Sequence, residues 1–384
     1  MKELFLSVIQ AELKWLAKFV CERFRPYVIG ITGSSGKTTT KYMIGELLKS
    51  KTLEVYVASG NLNTETGLPL ATIGFDKSPE TAFDWISVFF TAPFRALFRF
   101  SYPEYLVLEY AADKPGDIGY LLSIVKPDIA VITNFGVAHI EAFKKMENIV
   151  REKWQLAIVA KKIICTEEVA RKGRAVEYPL AEIITPGRDT IFTTNVKALT
   201  NKTEFDLSIY GKKVHASFEY LGEHNVANFE LAALTAIASG VSASKITELV
   251  PNLQPQEGRG RRIFAARDIV ILDESYNANP LSMLAALKVF AEMKFGRKVA
   301  ILGEMKEIGP ITQRSHQEVA KFAKRVSDFT IGVGGGFRDL ELDKWYPNVE
   351  KLKEEAKDLL KRGDIVLIKG SHSNRLDKLV NELL

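Results

Sequence analysis

The sequence predicts an α/β protein in two parts, each built on a mostly parallel sheet. Three observations carry this. Short apolar, β-branched runs alternate with segments of helical period along most of the chain. A glycine-hinged loop, T-G-S-S-G-K-T at 32–38, joins the first such run to a helical pattern, the strand–loop–helix order of a phosphate site. Pro251 to Gly260, P-N-L-Q-P-Q-E-G-R-G, has two prolines, two glycines and no periodicity, and reads as a linker. A chain of 384 residues also exceeds one usual core. The predicted parts are an N-terminal helix over 1–26, a phosphate-binding part over 27–250, the linker at 251–260 and a C-terminal part over 261–384.

The elements follow in order. Met1 to Phe24 carries Leu4, Phe5, Val8, Ile9, Leu13, Trp15, Leu16, Phe19 and Val20 at helical spacing. It is too charged to span a bilayer and shows no cleavage pattern. A helix packed on the domain is expected, with membrane-surface docking as the alternative. Val28, Ile29 and Ile31 then form a strand, and the loop after it opens a helix predicted over Lys41 to Ser50. In that loop Gly33 and Gly36 let backbone N–H groups turn inward around phosphate oxygens. Lys37 can reach β- and γ-phosphates, and the Thr38 hydroxyl can ligate Mg²⁺. Ile31 stands where the longer phosphate-loop pattern has glycine, so this is a shortened variant.

A strand is expected at Glu54 to Ala58 and a loop at Gly60 to Leu70. Trp85 to Phe100, with Pro93 in its middle, is unusually aromatic. It is too short and too basic to span, and a buried helix pair is expected rather than an exposed patch meeting lipid or a partner. Tyr105 to Glu109 is a buried strand ending in an acid. An acid there is costly unless used, and a magnesium ligand opposite the phosphate loop fits. Strand Ile129 to Asn134, loop Phe135 to His139, helix Ile149 to Ala160 and strand Lys162 to Cys165 follow. Phe205 to Tyr210 and Val214 to Tyr220 alternate as a hairpin about Gly211, and Val226 to Ser239 is an alanine-rich helix. Beyond the linker, strands at 269–272, 299–302, 330–333 and 365–368 alternate with helices at 281–292, 315–325 and 349–361, before a closing helix.

Composition narrows the function. Apolar content of 46% and charged content of 26% are those of a globular protein. A net charge of +5 is mild, and no basic aromatic module points to nucleic acid. Cys21 and Cys165 lie far apart without metal spacing, so a reducing cytoplasm is expected.

Read together, the motifs resemble the Mur ligase superfamily, and within it the MurF type. They are T-G-S-S-G-K-T at 32–38, G-N-L-N-T-E-T-G-L-P at 60–69, L-E-Y-A-A-D-K-P-G-D-I at 108–118 and P-D-I-A-V-I-T-N-F-G-V-A-H-I-E-A-F at 127–143. Then come E-K-W-Q-L at 152–156, G-E-H-N-V-A-N at 222–228, D-E-S-Y-N-A-N-P at 273–280, L-G-E-M-K-E-I-G at 302–309 and K-G-S at 369–371. They run in family order over nearly the whole chain past residue 27.

The resemblance implies a P-loop Mur ligase central ATPase domain followed by a Rossmann-like C-terminal domain. It implies ATP-dependent amide formation through an acyl phosphate in peptidoglycan biosynthesis, with ATP, two Mg²⁺ ions and a carbamylated lysine. Gly33, Ser34, Ser35, Gly36, Lys37, Thr38 and Thr39 would hold phosphates. Glu109 would bind the first metal and His139 the second, and Lys153 falls where the family carries the carbamate. Asn225 and Asn228 match asparagines at adenine, Arg259 matches an arginine that approaches the nucleotide, and Glu274, Asn277 and Asn279 lie in an ATP-facing loop. Asn61, Asn63, Thr64, Lys369 and Ser371 would meet substrates, a muropeptide-like acceptor and an amino acid or dipeptide. Two departures stand out. Asp273-Glu274 replaces the usual Asp-Asp, and only 26 residues precede the first strand, where the family has a UDP-gripping domain. A lipid-linked acceptor, a membrane surface or a partner supplying that domain would be expected to hold the acceptor instead. A folylpolyglutamate-synthase-like ligase, a plain P-loop ATPase or kinase and a non-enzymatic scaffold are the alternatives. The first favours Asp-Gly-Ala-His-Asn-Pro where this chain has S-Y-N-A-N-P.

Overall fold

The computed structural model describes residues 2–384 except Leu53, Asn61, Ala138, His139, Thr200, Asn201 and Phe295, with side chains from Ser7 onward. The chain forms two compact units: residues 1–136, 142–191 and 228–246 in one, and 137–141, 192–227 and 247–384 in the other.

The first stretch of chain runs α1 (Lys2–Phe24), β1 (Tyr27–Thr32), α2 (Lys37–Lys49), β2 (Val55–Val57), α3 (Gly67–Ile73), α4 (Ala82–Phe98) and β3 (Tyr105–Glu109). It continues α5 (Asp117–Leu122), β4 (Ile129–Ile132), α6 (Ile140–Phe143), α7 (Met146–Val159), β5 (Lys162–Cys165), α8 (Glu167–Arg174) and β6 (Glu182–Ile184). The six strands form one parallel sheet in the order β2-β3-β1-β4-β5-β6. β1 lies between β3 and β4; from β1 the chain passes to β2 on one side of the sheet, and from β4 it passes to β5 on the other. This is the switch point at which α/β sheets bind ligands beyond their strand C-termini. Register places Ile31 opposite Glu109, so the acid at the end of β3 stands beside the start of the phosphate loop.

Three expectations change here. α2 starts at Lys37, four residues before the predicted helix, because the loop closes directly onto the helix N-terminus at Gly36. Residues 67–70, expected in a loop, open α3; Pro69 falls in its first turn, where a missing N–H costs little, and Leu68, Leu70 and Ile73 are buried. Trp85 to Phe100, expected to be a buried helix pair, is instead almost wholly the single helix α4, continuous through Pro93, with much of its aromatic surface in solvent. A capping box starts it: Thr81 Oγ1 accepts the Asp84 N–H, and Asp84 Oδ2 accepts the Thr81 N–H. Only Val88, Ala92 and Ala96 are fully buried along it, a stripe of modest side chains. α1 packs on α3 and α4 through a face that includes buried Ile9, Leu13, Leu16, Ala17 and Val20, as a domain-packed helix should. Among the described residues no helix is long and apolar enough to cross a membrane.

β7 (Ile191–Ala198), β8 (Thr203–Ile209) and β9 (Lys212–Phe218) form a small sheet that contains the expected hairpin, followed by α9 (Glu223–Ala238) and α10 (Ala243–Leu249). Then come β10 (Arg261–Ala265), β11 (Ile269–Glu274), α11 (Pro280–Glu292), β12 (Lys298–Gly303), α12 (Thr312–Val326) and β13 (Phe329–Val333). β14 (Lys344–Tyr346), α13 (Val349–Leu359), β15 (Ile365–Lys369) and α14 (Asp377–Leu383) complete the chain. Their sheet has the order β10-β11-β15-β12-β13-β14 and is parallel except for edge strand β10. Alternate residues feed two cores. Leu272, Leu302 and Leu367 join one, and Ile271, Ile301 and Ile368 the other, so both faces of the sheet are covered.

Candidate nucleotide and metal site

Two glycines shape the loop between β1 and α2. Gly33 has φ of +148° and Gly36 φ of +78°, and a Cβ at either would collide with a neighbour, Thr133 Oγ1 at the first and Asn228 Oδ1 at the second. The residues after β4 brace the loop. Ser34 Oγ donates to Gly136 O at 2.8 Å, Thr133 Oγ1 donates to Ser35 O at 2.6 Å, and the Ser35 N–H donates to Asn134 Oδ1 at 3.1 Å. Lys37 begins α2, and its ammonium bends back to Gly33 O at 2.8 Å, inside the ring of the loop. Thr38 and Thr39, the next two residues, are buried. A helix N-terminus, inward-turned amides and a lysine together make an anion cradle.

Glu109 anchors the other half. It is buried; Oε2 accepts from Thr38 Oγ1 at 2.8 Å and Oε1 from Asn63 Nδ2 at 3.0 Å. Lys41, one turn along α2 from Lys37, puts its buried ammonium 3.5 Å from Glu109 Oε2. Sequence reading passed over Lys41; its signal was the four-residue spacing from Lys37, which sets both lysines on one helix face. Lys153, on α7, is buried within the electrostatic reach of Lys37, Asp113, Glu152 and Glu109. Burial first, and the Lys37 charge second, push its ammonium down to about 7. The neighbouring Glu152 is committed elsewhere, accepting the Gly116 and Ile118 N–H groups at 2.9 and 2.8 Å at the start of α5.

The donor set suits a hard cation. Thr38 and Glu109 offer oxygens side by side, and a carbamate on Lys153 would add another. No group of three or more His, Cys, Asp or Glu side chains suited to a metal occurs among the described residues. His139 and Asn61 lie outside the described residues. Thr64, expected to meet substrate, accepts the Gly67 N–H at 3.3 Å as α3 begins, and Asn228 stands against Gly36.

In the second unit the predicted residues gather around the end of β11. Lys369, at the end of β15, is buried and donates to Glu274 Oε2 at 3.0 Å and to Asn277 O at 2.9 Å. Asp273 is a brace: its Oδ2 accepts the Gly258 N–H at 2.9 Å and its Oδ1 accepts from Ser275 Oγ at 2.6 Å. The Arg259 guanidinium lies 4.0 Å from the Tyr276 ring centroid, which fixes its direction. Ser371 Oγ accepts the Lys306 N–H at 3.1 Å. Asn279, expected to face ATP, caps α11 by accepting the Ser282 N–H at 2.9 Å. Asn277 Oδ1 accepts the Ala278 N–H, and Asn225 Nδ2 donates to Leu221 O, so these two side chains shape the local backbone.

Comparison with known proteins places the chain by family and fold. The profile described as Mur ligase middle domain matches residues 31–237, and that described as Mur ligase, glutamate ligase domain matches residues 258–372. A UDP-N-acetylmuramoyl-tripeptide–D-alanyl-D-alanine ligase of Borreliella burgdorferi is 28% identical, with 96% of this chain and 77% of that protein covered. The crystal structure of MurF from Acinetobacter baumannii is 26% identical, with a TM-score of 0.80, covering 97% of this chain and 80% of that one. MurF ligase from Thermotoga maritima, solved in complex with ADP, is similar in fold at 24% identity and a TM-score of 0.79, covering 97% and 83%.

Proposed function

The chain belongs to the Mur ligase family, and on that premise we propose that it is an ATP-dependent amide ligase joining D-alanyl-D-alanine to a muramoyl-tripeptide carboxylate in peptidoglycan synthesis. The observation that carries this is the pairing of Thr38 with Glu109 at 2.8 Å beside a loop that ends in Lys37. The acceptor carboxylate would attack the γ-phosphorus of ATP, and ADP would leave. The amine of the dipeptide would then attack the acyl carbon, and phosphate would leave with the oxygen it had gained. Such transfers need charge neutralisation and alignment more than covalent help from the protein.

Each residue has a part in that reading. The loop amides and Lys37 hold the β- and γ-phosphates, Lys37 exchanging Gly33 O for phosphate oxygens. Thr38, Glu109 and Lys153 as a carbamate would hold Mg²⁺, with His139 on a second ion. The bound ions would supply charge neutralisation at the transferring phosphoryl group. Burial and a lowered pKa suit Lys153 to this, because a neutral amine is the form that takes up carbon dioxide. In the second unit, Arg259 would meet the nucleotide, and Lys369 and Ser371 the incoming amine. The need for ATP makes the cytoplasm the compartment of the reaction.

The test is ADP release by the purified protein with Mg²⁺, UDP-linked or lipid-linked muramoyl-tripeptide, and D-alanyl-D-alanine. Release should require both acceptor and dipeptide, and Lys37→Ala should abolish it with the fold intact. Near-normal turnover in that variant would sink the assignment.

A further inference from the structure

α4 turns an apolar face to solvent. Phe83, Phe90, Phe94 and Phe98 are 78%, 70%, 66% and 60% exposed, with Ile86 and Leu97 on the same side and Phe100, at 95%, just past the helix end. The positions recur in steps of three and four, which defines one helix face. At about 200 Å² per ring, the five phenylalanines leave roughly 700 Å² of apolar surface. The largest patch on an ordinary monomer is about 300–600 Å².

The charge around this face has one sign toward its C-terminal end. From Trp85 to Phe94 the chain carries no charged residue, and from there to Pro103 the charged residues are Arg95 and Arg99. Arg23 of α1 joins them. Arg23 Nη1 donates to Leu97 O at 2.6 Å, Arg95 Nη1 to Gly74 O at 2.7 Å, and Arg99 Nε to Ser101 O at 2.9 Å. These acceptors are neutral carbonyls, so they fix three guanidinium groups in place without cancelling their charge. Together they form a pinned cationic rim.

We propose that this face of α4 docks on a bilayer surface carrying anionic phospholipid. Seventeen residues lying in the interface would extend about 25 Å along it. Phenylalanines would enter the acyl boundary while the arginine rim meets phosphate groups, the mix of apolar area and basic charge that interfacial helices use. A second copy in a parallel two-fold contact would set one arginine rim close to another, which disfavours that pairing. The inference does not need the ligase reading. Combined with it, the docked enzyme would work next to lipid-linked substrates.

Flotation with phosphatidylcholine vesicles, with and without about one-third phosphatidylglycerol, tests the proposal. The full chain should float with anionic vesicles, less with neutral ones, and less as salt rises to about 0.5 M, where the Debye length is only a few Å. The doubly substituted Phe90→Glu, Phe94→Glu protein should partition roughly tenfold less or worse. Phe83→Glu gives a second reading with little risk to folding, because an acid in the first turn suits the helix dipole. A native protein that stays in the soluble fraction at every composition would overturn the proposal. So would charge variants that float as well as the native protein. A concentration-dependent dimer that the double substitution dissolves would also overturn it and assign the face to self-association.

Discussion

Lys41 offers the sharpest test of how the site is built. Its ammonium stands 3.5 Å from Glu109 Oε2, with the two side chains 1% and 4% exposed. At an effective dielectric near 20 the gross attraction is about 5 kcal/mol, much of it offset by the cost of burying both charges. Lys41→Met keeps most of the stem volume but leaves the carboxylate buried without that cation, a change that costs about 3–5 kcal/mol. Glu109 retains hydrogen bonds from Thr38 and Asn63, which sets the expectation at the lower end, about 3 kcal/mol. For a unit of this size that is a fall in Tm of about 6–12 °C. Circular dichroism melts of the native protein, Lys41→Met, Glu109→Gln and the double variant measure it. The double variant should recover part of the loss, because it removes both members of the pair. Mg²⁺ with ADP should stabilise Lys41→Met more than the native protein, since a cation would return to the carboxylate. A loss under about 1 kcal/mol, or strictly additive single variants, would refute the reasoning.

Two further outcomes are expected. Lys153→Ala should be nearly inactive and partly rescued by acetate or formate, whose carboxylate can stand in for a carbamate; a structure with both metals and an unmodified Lys153 would contradict this. His316 should make stability depend on pH: its Nε2 accepts the Met305 N–H at 2.9 Å while Nδ1 donates to Thr312 O at 2.7 Å, which only the neutral ring satisfies. Burial holds its pKa below the usual value, so the unfolded chain binds the proton first. The stabilisation is therefore full above about pH 6.5 and lost as pH falls through the folded-state pKa. His316→Gln should melt with a shallower slope below that pH, and an unchanged slope would count against the assignment.

The parts of this protein that are local in sequence were legible before the fold was seen. The phosphate loop, the acid ending β3 and the parallel α/β alternation each depend on residues within one turn or one strand. Errors arose where tertiary packing decides. The 60–70 stretch is rich in turn residues, yet buried Leu68, Leu70 and Ile73 carry its end into α3. The period of α4 was visible, but a period says which residues share a face and not whether anything covers it. Lys41 reads as an ordinary helix lysine until β3 brings Glu109 alongside. Asn279 precedes a proline-initiated helix, a sequence sign of an N-cap that competed with the ATP-facing role. Strands β6, β7, β10 and β14 escaped notice because they lack the continuous apolar runs of buried parallel strands.

The central claim is that a substrate carboxylate is activated as an acyl phosphate. The most direct measurement follows oxygen. With a muramoyl-tripeptide acceptor labelled with heavy oxygen in its reacting carboxylate, the attack on the γ-phosphorus carries one labelled oxygen onto phosphorus, and the amine's later attack on carbon releases it there. Mass spectrometry of the products should find ADP, the amide and inorganic phosphate bearing one labelled oxygen for each amide formed. Unlabelled phosphate, or AMP and pyrophosphate in place of ADP and phosphate, would contradict the account.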